Sequence, residues 1–197
     1  MRQYHLFSRR FLSPLIRAFL AVFIVISPVN ASEEKENAIK TVMMRKFVDF
    51  ITWPEQYSPK THTQFNACVL GDSRIVYSAA IFEKQASASS IAFKMFRVDS
   101  VQNLAGRCHL VFVTAGKEGS LAELSFQPVL TISDMPRFVE RGGMIGFEII
   151  DGKIRYNINN KSFSKAGLKV DAQLLEIANK VVDLVSGISI TSLFVNA

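Results

Sequence analysis

Residues 65–79 read FNACVLGDSRIVYSA. A run with a nearly continuous apolar face ends in Gly71, and an amphipathic pattern begins within two residues of it. That is the signature of a strand delivered into a helix, the half-unit from which parallel sheets are built. The glycine could also mark a phosphate loop, but it stands alone and the GxGxxG pattern is absent. Gly71-Asp72-Ser73 is read instead as a strand-to-helix turn, with Asp72 or Ser73 as N-cap.

The same alternation continues downstream. SRIVYSAAIFEKQAS reads as a helix, SIAFKMFRV as a strand with one wetter face, and VQNLAGR as a short helical turn. CHLVFVTA is a fully apolar strand, GSLAELSF a brief helix, PVLTISD a strand and PRFVERG a short helix. MIGFEIIDGKIRYNIN then predicts a hairpin, because Asp151-Gly152 sits between two alternating runs. KSFSKAGLKVDAQLLEIANKVVDLV predicts one long closing helix, burying Leu168, Leu174, Leu175, Ile177, Ala178, Val181, Val182 and Val185. Upstream, SEEKENAIKTVMMRKFVDFITWP predicts a first helix ended by Pro54, with Ile39, Val42, Met43, Phe47, Val48 and Ile51 as its apolar stripe. The fold expected is a single-domain α/β sandwich, a truncated Rossmann-like or flavodoxin-like fold. Its sheet would be mostly parallel, with a C-terminal hairpin and a long C-terminal helix.

The first thirty-one residues read differently. Arg2, Arg9, Arg10 and Arg17 precede the run AFLAVFIVI, and Val29 and Ala31 stand at the −3 and −1 positions of a small-residue cleavage site. This is the pattern of a cleaved secretory signal over 1–31, with one domain over 32–197. The apolar run is shorter than the roughly 20 residues a spanning helix needs. Removing the signal leaves 19 basic against 17 acidic residues, a formal charge of +2 in place of +6. The basic balance is therefore a targeting feature and gives no reason to invoke nucleic acid.

Cys68 and Cys108 are the only cysteines. In an exported chain an isolated pair most simply makes one disulfide, structural or redox-responsive. If the strand order begins 2-1-3, the two cysteines lie on neighbouring strands. No CxxC, HExxH or GxSxG pattern occurs, and the carboxylates Asp99, Asp134, Glu140, Glu148 and Asp151 have no partners in sequence. His62 and His109 lie in no ligand spacing. In VLTISDMPRFVERGGMIGFE (129–148), Ser133 or Asp134 can cap, Gly142 can end a helix in the left-handed conformation, and Gly143 frees the next strand. The loop also sits at the carboxyl end of a strand, where ligands of α/β domains bind.

FVDFITWPEQ, FNACVLGD, NLAGRCHLVFV, PVLTISDMPRFVERGGMIGFE and IRYNINNKSFSKAGLKVDAQLLEIA occur in that order. Together they resemble the YfiR-like periplasmic proteins, from about Ala38 to Val182. The resemblance implies a small periplasmic α/β protein, a homodimer without catalysis or cofactor. Its partner would be the periplasmic domain of a membrane-bound diguanylate cyclase, which it represses, lowering cyclic di-GMP and disfavouring biofilm. An outer-membrane, peptidoglycan-binding lipoprotein would sequester it. The second cysteine pair of some members is missing here, so only a Cys68–Cys108 bridge carries over. Phe47, Phe50, Trp53, Asp134, Arg137 and Arg141 are the expected partner contacts. A periplasmic small-molecule binding module using the strand-end crevice is the alternative reading.

Overall fold

The computed structural model describes residues 29–61, 64–79 and 91–183. The expected signal over 1–31 therefore lies almost wholly outside the described residues, as do His62, Val185 and the apolar ending.

Helix α1 (Val29–Phe47) runs through a 3₁₀ turn (Val48–Phe50) into the short strand β1 (Ile51–Thr52). The main sheet is built from β2 (Gln64–Leu70), β3 (Ala92–Val98), β4 (Leu110–Val113), β5 (Leu130–Ser133), β6 (Ile145–Ile150), β7 (Lys153–Asn159) and β9 (Lys180–Val182). Its order is β3-β2-β4-β5-β6-β7-β9. The pairs from β3 through β6 are all parallel. Counted within that parallel set, the order is 2-1-3-4-5, the flavodoxin-like arrangement. The α/β class and the mostly parallel sheet follow the expectation.

The predicted hairpin forms as β6 against β7. Asp151 and Gly152 both take positive φ, 50° and 70°, the requirement of a type I′ turn. The helix after β2 is described over 75–79, where Ser73 Oγ accepts from the Ile75 N–H.

Strand alternation divides the core between two faces of the sheet. Phe65, Ala67, Val69, Leu110, Phe112, Leu130 and Ile132 point to one face, joined there by Met44 and Phe47 of α1 and Val48 of the 3₁₀ turn. Cys68, Leu70, Val111 and Val113 point to the other, against Leu104, Leu121, Leu124 and Phe138. Adjacency of β2 and β4 brings Cys68 opposite Val111 and lets Cys108, just before β4, form the Cys68–Cys108 disulfide (Cα–Cα 5.8 Å). Both cysteines are buried. Burial makes the bridge part of the core and shields it from solvent reductants.

Four expectations are corrected. First, the buried face of α1 is Asn37, Lys40, Thr41, Met44 and Phe47, continued by Val48 of the 3₁₀ turn, while Ile39 and Val42 are each 41% exposed. The stripe keeps its helical period but is rotated, because three polar residues, among them a buried lysine paired with two carboxylates, occupy it. Second, the long closing helix does not form. The segment is divided into α3 (Asn160–Lys165), β8 (Lys169–Val170), α4 (Ala172–Glu176) and β9. Gly167 at φ 72° ends α3, with Leu168 N–H donating to Phe163 O as in a Schellman cap. β8 then pairs with β1, Asp171 caps α4 through the Gln173 N–H, and β9 pairs with β7. Ile177 and Val181, expected inside, are exposed. Third, PRFVERG is a chain of turns, interrupted by Arg137 at φ 59°. Fourth, VQNLAGR is likewise turns. The brief helix of GSLAELSF is present as a 3₁₀ turn (Glu118–Ser120) followed by α2 (Leu121–Leu124).

Candidate partner-binding loop

The connection 134–142 leaves the carboxyl end of β5 and returns to β6. Its shape comes from inside. Ser133 Oγ donates to Val113 O at 2.6 Å and accepts from the Met135 N–H at 3.0 Å, so Ser133 and not Asp134 holds the turn. Phe138 and Val139 are buried, while Asp134, Pro136, Arg137 and Arg141 face out.

Four other elements hold the loop. Lys40 reaches from α1, its ammonium 2.6 Å from Asp134 Oδ2 and 2.5 Å from Glu36 Oε1, with only 4% of its side chain exposed. Asn159 at the end of β7 donates to Val139 O at 2.9 Å, and Ser162 of α3 donates to Gly142 O at 2.9 Å. Lys180 of β9 pairs with Glu140 at 2.9 Å. Arg141 lies 3.6 Å from Glu118, an exposed pair that contributes little to stability. Gly142 takes φ 97°, as a left-handed terminator should. Gly143 has a different reason. A Cβ there would stand 2.1 Å from Cε1 of Phe138.

The charges are set by this anchoring. Burial pulls the Lys40 ammonium down, but its hydrogen bonds to Asp134 and Glu36 and their charges outweigh that and hold it above its ordinary value. Burial works to raise the Glu140 carboxyl, yet the Lys180 bond, its own backbone N–H and the Arg137 charge leave it below the usual range. Tyr156, whose hydroxyl donates to Leu174 O, is raised by burial.

A raised folded value for Lys40 and Tyr156 means stability that is complete below their unfolded values and lost as pH rises through the folded ones. Stability should therefore fall above pH 10 to 10.5, where the ordinary values lie. Lys40→Met and Tyr156→Phe, measured by urea unfolding at pH 8 and at roughly pH 11, should each flatten part of that fall. An alkaline slope identical in both variants and the parent would mean neither group is responsible. Glu140 acts in the opposite direction, losing its contribution as pH falls below its ordinary value of 4.5.

Of the expected contacts, Asp134, Arg137 and Arg141 are brought together on this loop and exposed. Phe47 and Trp53 are buried, Phe47 against Phe147 and Tyr156 and Trp53 against Phe65 and His109. Their core roles remove them from the side chains a partner can touch in this conformation. Phe50 is half-buried against the same core. Lys40, Asn159, Ser162 and Lys180, which position the loop, carry no mark in the sequence that ties them to it. Among the described residues no group of three or more His, Cys, Asp or Glu is placed to hold a metal ion. No described helix is long and apolar enough to cross a membrane.

Fold and loop together define an α/β domain, its sheet braced by a buried disulfide and one strand-end loop fastened from several sides. A family model described as YfiR/HmsC-like matches residues 37–179, well over half the chain. The protein belongs to the YfiR/HmsC-like family, a family of periplasmic regulatory proteins. No curated protein matches the sequence. Among solved structures, a conserved domain protein from Vibrio cholerae O1 biovar El Tor is similar at 10% identity, with a TM-score of 0.47. The match covers 74% of this chain and 60% of that one, so the chain spans less than two thirds of that protein's length.

Proposed function

We propose that the protein is secreted through a signal cleaved after Ala31 and represses a membrane-bound diguanylate cyclase by binding its periplasmic domain. The observation that carries this reading is the 134–142 loop. It presents Asp134, Pro136, Arg137 and Arg141 to solvent while side chains from β7 and α3 hold its backbone and lysines from α1 and β9 hold its carboxylates Asp134 and Glu140. Such an element docks with little loss of conformational entropy, so its contacts are not spent on ordering it.

Repression then acts as a population shift. The repressor binds the inactive cyclase conformation more tightly and moves the equilibrium by that difference in affinity, no more. An outer-membrane, peptidoglycan-binding lipoprotein that competes for the repressor would reverse the shift. A homodimer is part of this reading, and sedimentation of the mature chain tests it directly.

The binding step is tested by calorimetric titration of the mature protein against the purified periplasmic domain of a membrane cyclase from the same organism. The Arg137→Glu/Arg141→Glu variant should bind at least about tenfold more weakly, with its melting temperature unchanged, because both guanidinium groups are on the surface. Equal affinity of variant and parent would remove the loop from the interface.

A further inference from the structure

A cavity of about 630 Å³ opens between α2, the Arg141–Gly142 turn and α3. Its volume falls within the roughly 300–1,000 Å³ of sites that hold small molecules. Its lining draws on both ends of the strands: Glu118 and Gly119 follow the carboxyl end of β4. Gly142 precedes the amino end of β6, and α3 follows the carboxyl end of β7, which runs antiparallel to β6. Phe126 follows α2 on the way back to the amino end of β5. The cavity therefore runs from the residues after the carboxyl end of β4 to those before the amino end of β6, whose first residue Ile145 pairs with Ile132 near the carboxyl end of β5.

Its walls have two chemistries. Leu121, Ala122 and Phe126 form an apolar side, and Phe126 is 72% exposed. Arg141, Lys161 and Lys165 bring three positive charges, and the Lys165 ammonium sits 4.5 Å from the centre of the Phe126 ring. Glu118 is the one acidic residue in the lining, and it faces Arg141. Lys161 has no carboxylate partner among the described residues. The lining thus carries an excess of positive charge directly beside an apolar surface, in a hollow bounded by three elements.

We propose that this cavity binds a small amphipathic organic anion, one acidic group on an apolar body. The acidic group lies between Lys161 and Lys165, within reach of Arg141, and the body lies on Leu121, Ala122 and Phe126. Charge complementarity selects the anion, and the three-sided enclosure selects a molecule of limited size over an extended peptide. The inference does not rest on the regulatory reading: Arg141 is shared by the loop and the cavity, but Arg137 does not line the cavity, and the lysine and Phe126 variants leave residues 134–142 unchanged.

The test uses the mature chain and the fluorescent anion anilinonaphthalene sulfonate, with octanoate, octyl phosphate and neutral octanol as competitors. Single-site binding is expected, displaced by octanoate or octyl phosphate and not by octanol at equal concentration. The better of the two anions tells whether carboxylate or phosphate is preferred. Lys161→Glu/Lys165→Glu should weaken dye binding at least about tenfold, Lys161→Arg/Lys165→Arg should retain it, and Phe126→Ala should weaken it severalfold. All three positions are exposed, so unchanged melting curves are expected and separate lost binding from lost folding. Dye affinity unaffected by charge reversal, or displacement by octanol as effective as by octanoate, overturns the proposal. So does a charge reversal that spares the dye and abolishes binding to the cyclase domain, because the hollow would then be a protein contact. Failure of the dye experiment alone leaves the cyclase titration untouched.

Discussion

Replacing both Cys68 and Cys108 with alanine should lower the stability of the mature protein by about 4 kcal/mol. The bridge spans 40 residues of chain, and closing a loop of that length removes about that much conformational freedom from the unfolded state. The native side of the balance points the same way. Both sulfurs lie in the core cluster with Leu70, Leu104 and Val111, so the alanines also leave space behind. With a urea dependence of about 2 kcal/mol per molar, the midpoint should fall by roughly 2 M. Reductant should act on the parent only near its own unfolding transition, because the bridge is not accessible in the folded state. A loss below about 1 kcal/mol, or rapid reduction without unfolding, would show a labile redox bridge in place of a structural one.

Gly143→Ala should destabilise the protein by about 3 kcal/mol. Its Cβ would fall 2.1 to 2.5 Å from three ring carbons of Phe138. That ring is fully buried among Leu124, Val129 and Met135 and has no room to yield. Phe138 also shapes the loop through its carbonyl, which accepts from the N–H groups of Arg141 and Gly143. The double variant Gly143→Ala/Phe138→Leu isolates the cause. It should be less destabilised than the sum of the single changes by more than about 1 kcal/mol, since the shorter side chain vacates the space the new methyl needs. Additive effects would place the cost of Gly143→Ala in the backbone instead.

The sequence carried the sheet well because strands buried on both faces are written as short apolar runs, and each run here meets a turn residue. Gly71 at φ 99° and the Asp151-Gly152 pair are where the chain needs conformations that few residues adopt, so they were readable. The closing segment misled for the opposite reason. Leu168, Leu174, Leu175 and Ala178 satisfy a helical period, yet Ala166-Gly167 ends one helix, Asp171 starts another, and the pair Val181-Val182 belongs to a strand. Those three local signals outweigh the periodicity once β1 and β7 are present to receive strands. On α1, counting only apolar residues rotated the face, because Lys40 is buried by partners that periodicity does not see.

For the loop, the outward residues were legible and the anchors were not. Asp134, Arg137 and Arg141 sit within one motif, whereas Lys40 meets Asp134 across 94 positions and Lys180 meets Glu140 across 40. Distances of that kind are created by strand order, and no local pattern encodes them. The cavity beside α3 was hidden likewise, since Phe126, Arg141 and Lys165 come from three separate connections.

The regulatory account stands most directly on the cellular level of cyclic di-GMP. Deleting the gene should raise it severalfold, an exported wild-type copy should bring it back, and an exported Arg137→Glu/Arg141→Glu copy of equal abundance should not. A level unchanged by deletion across planktonic and surface-attached growth would contradict repression of a cyclase by this protein.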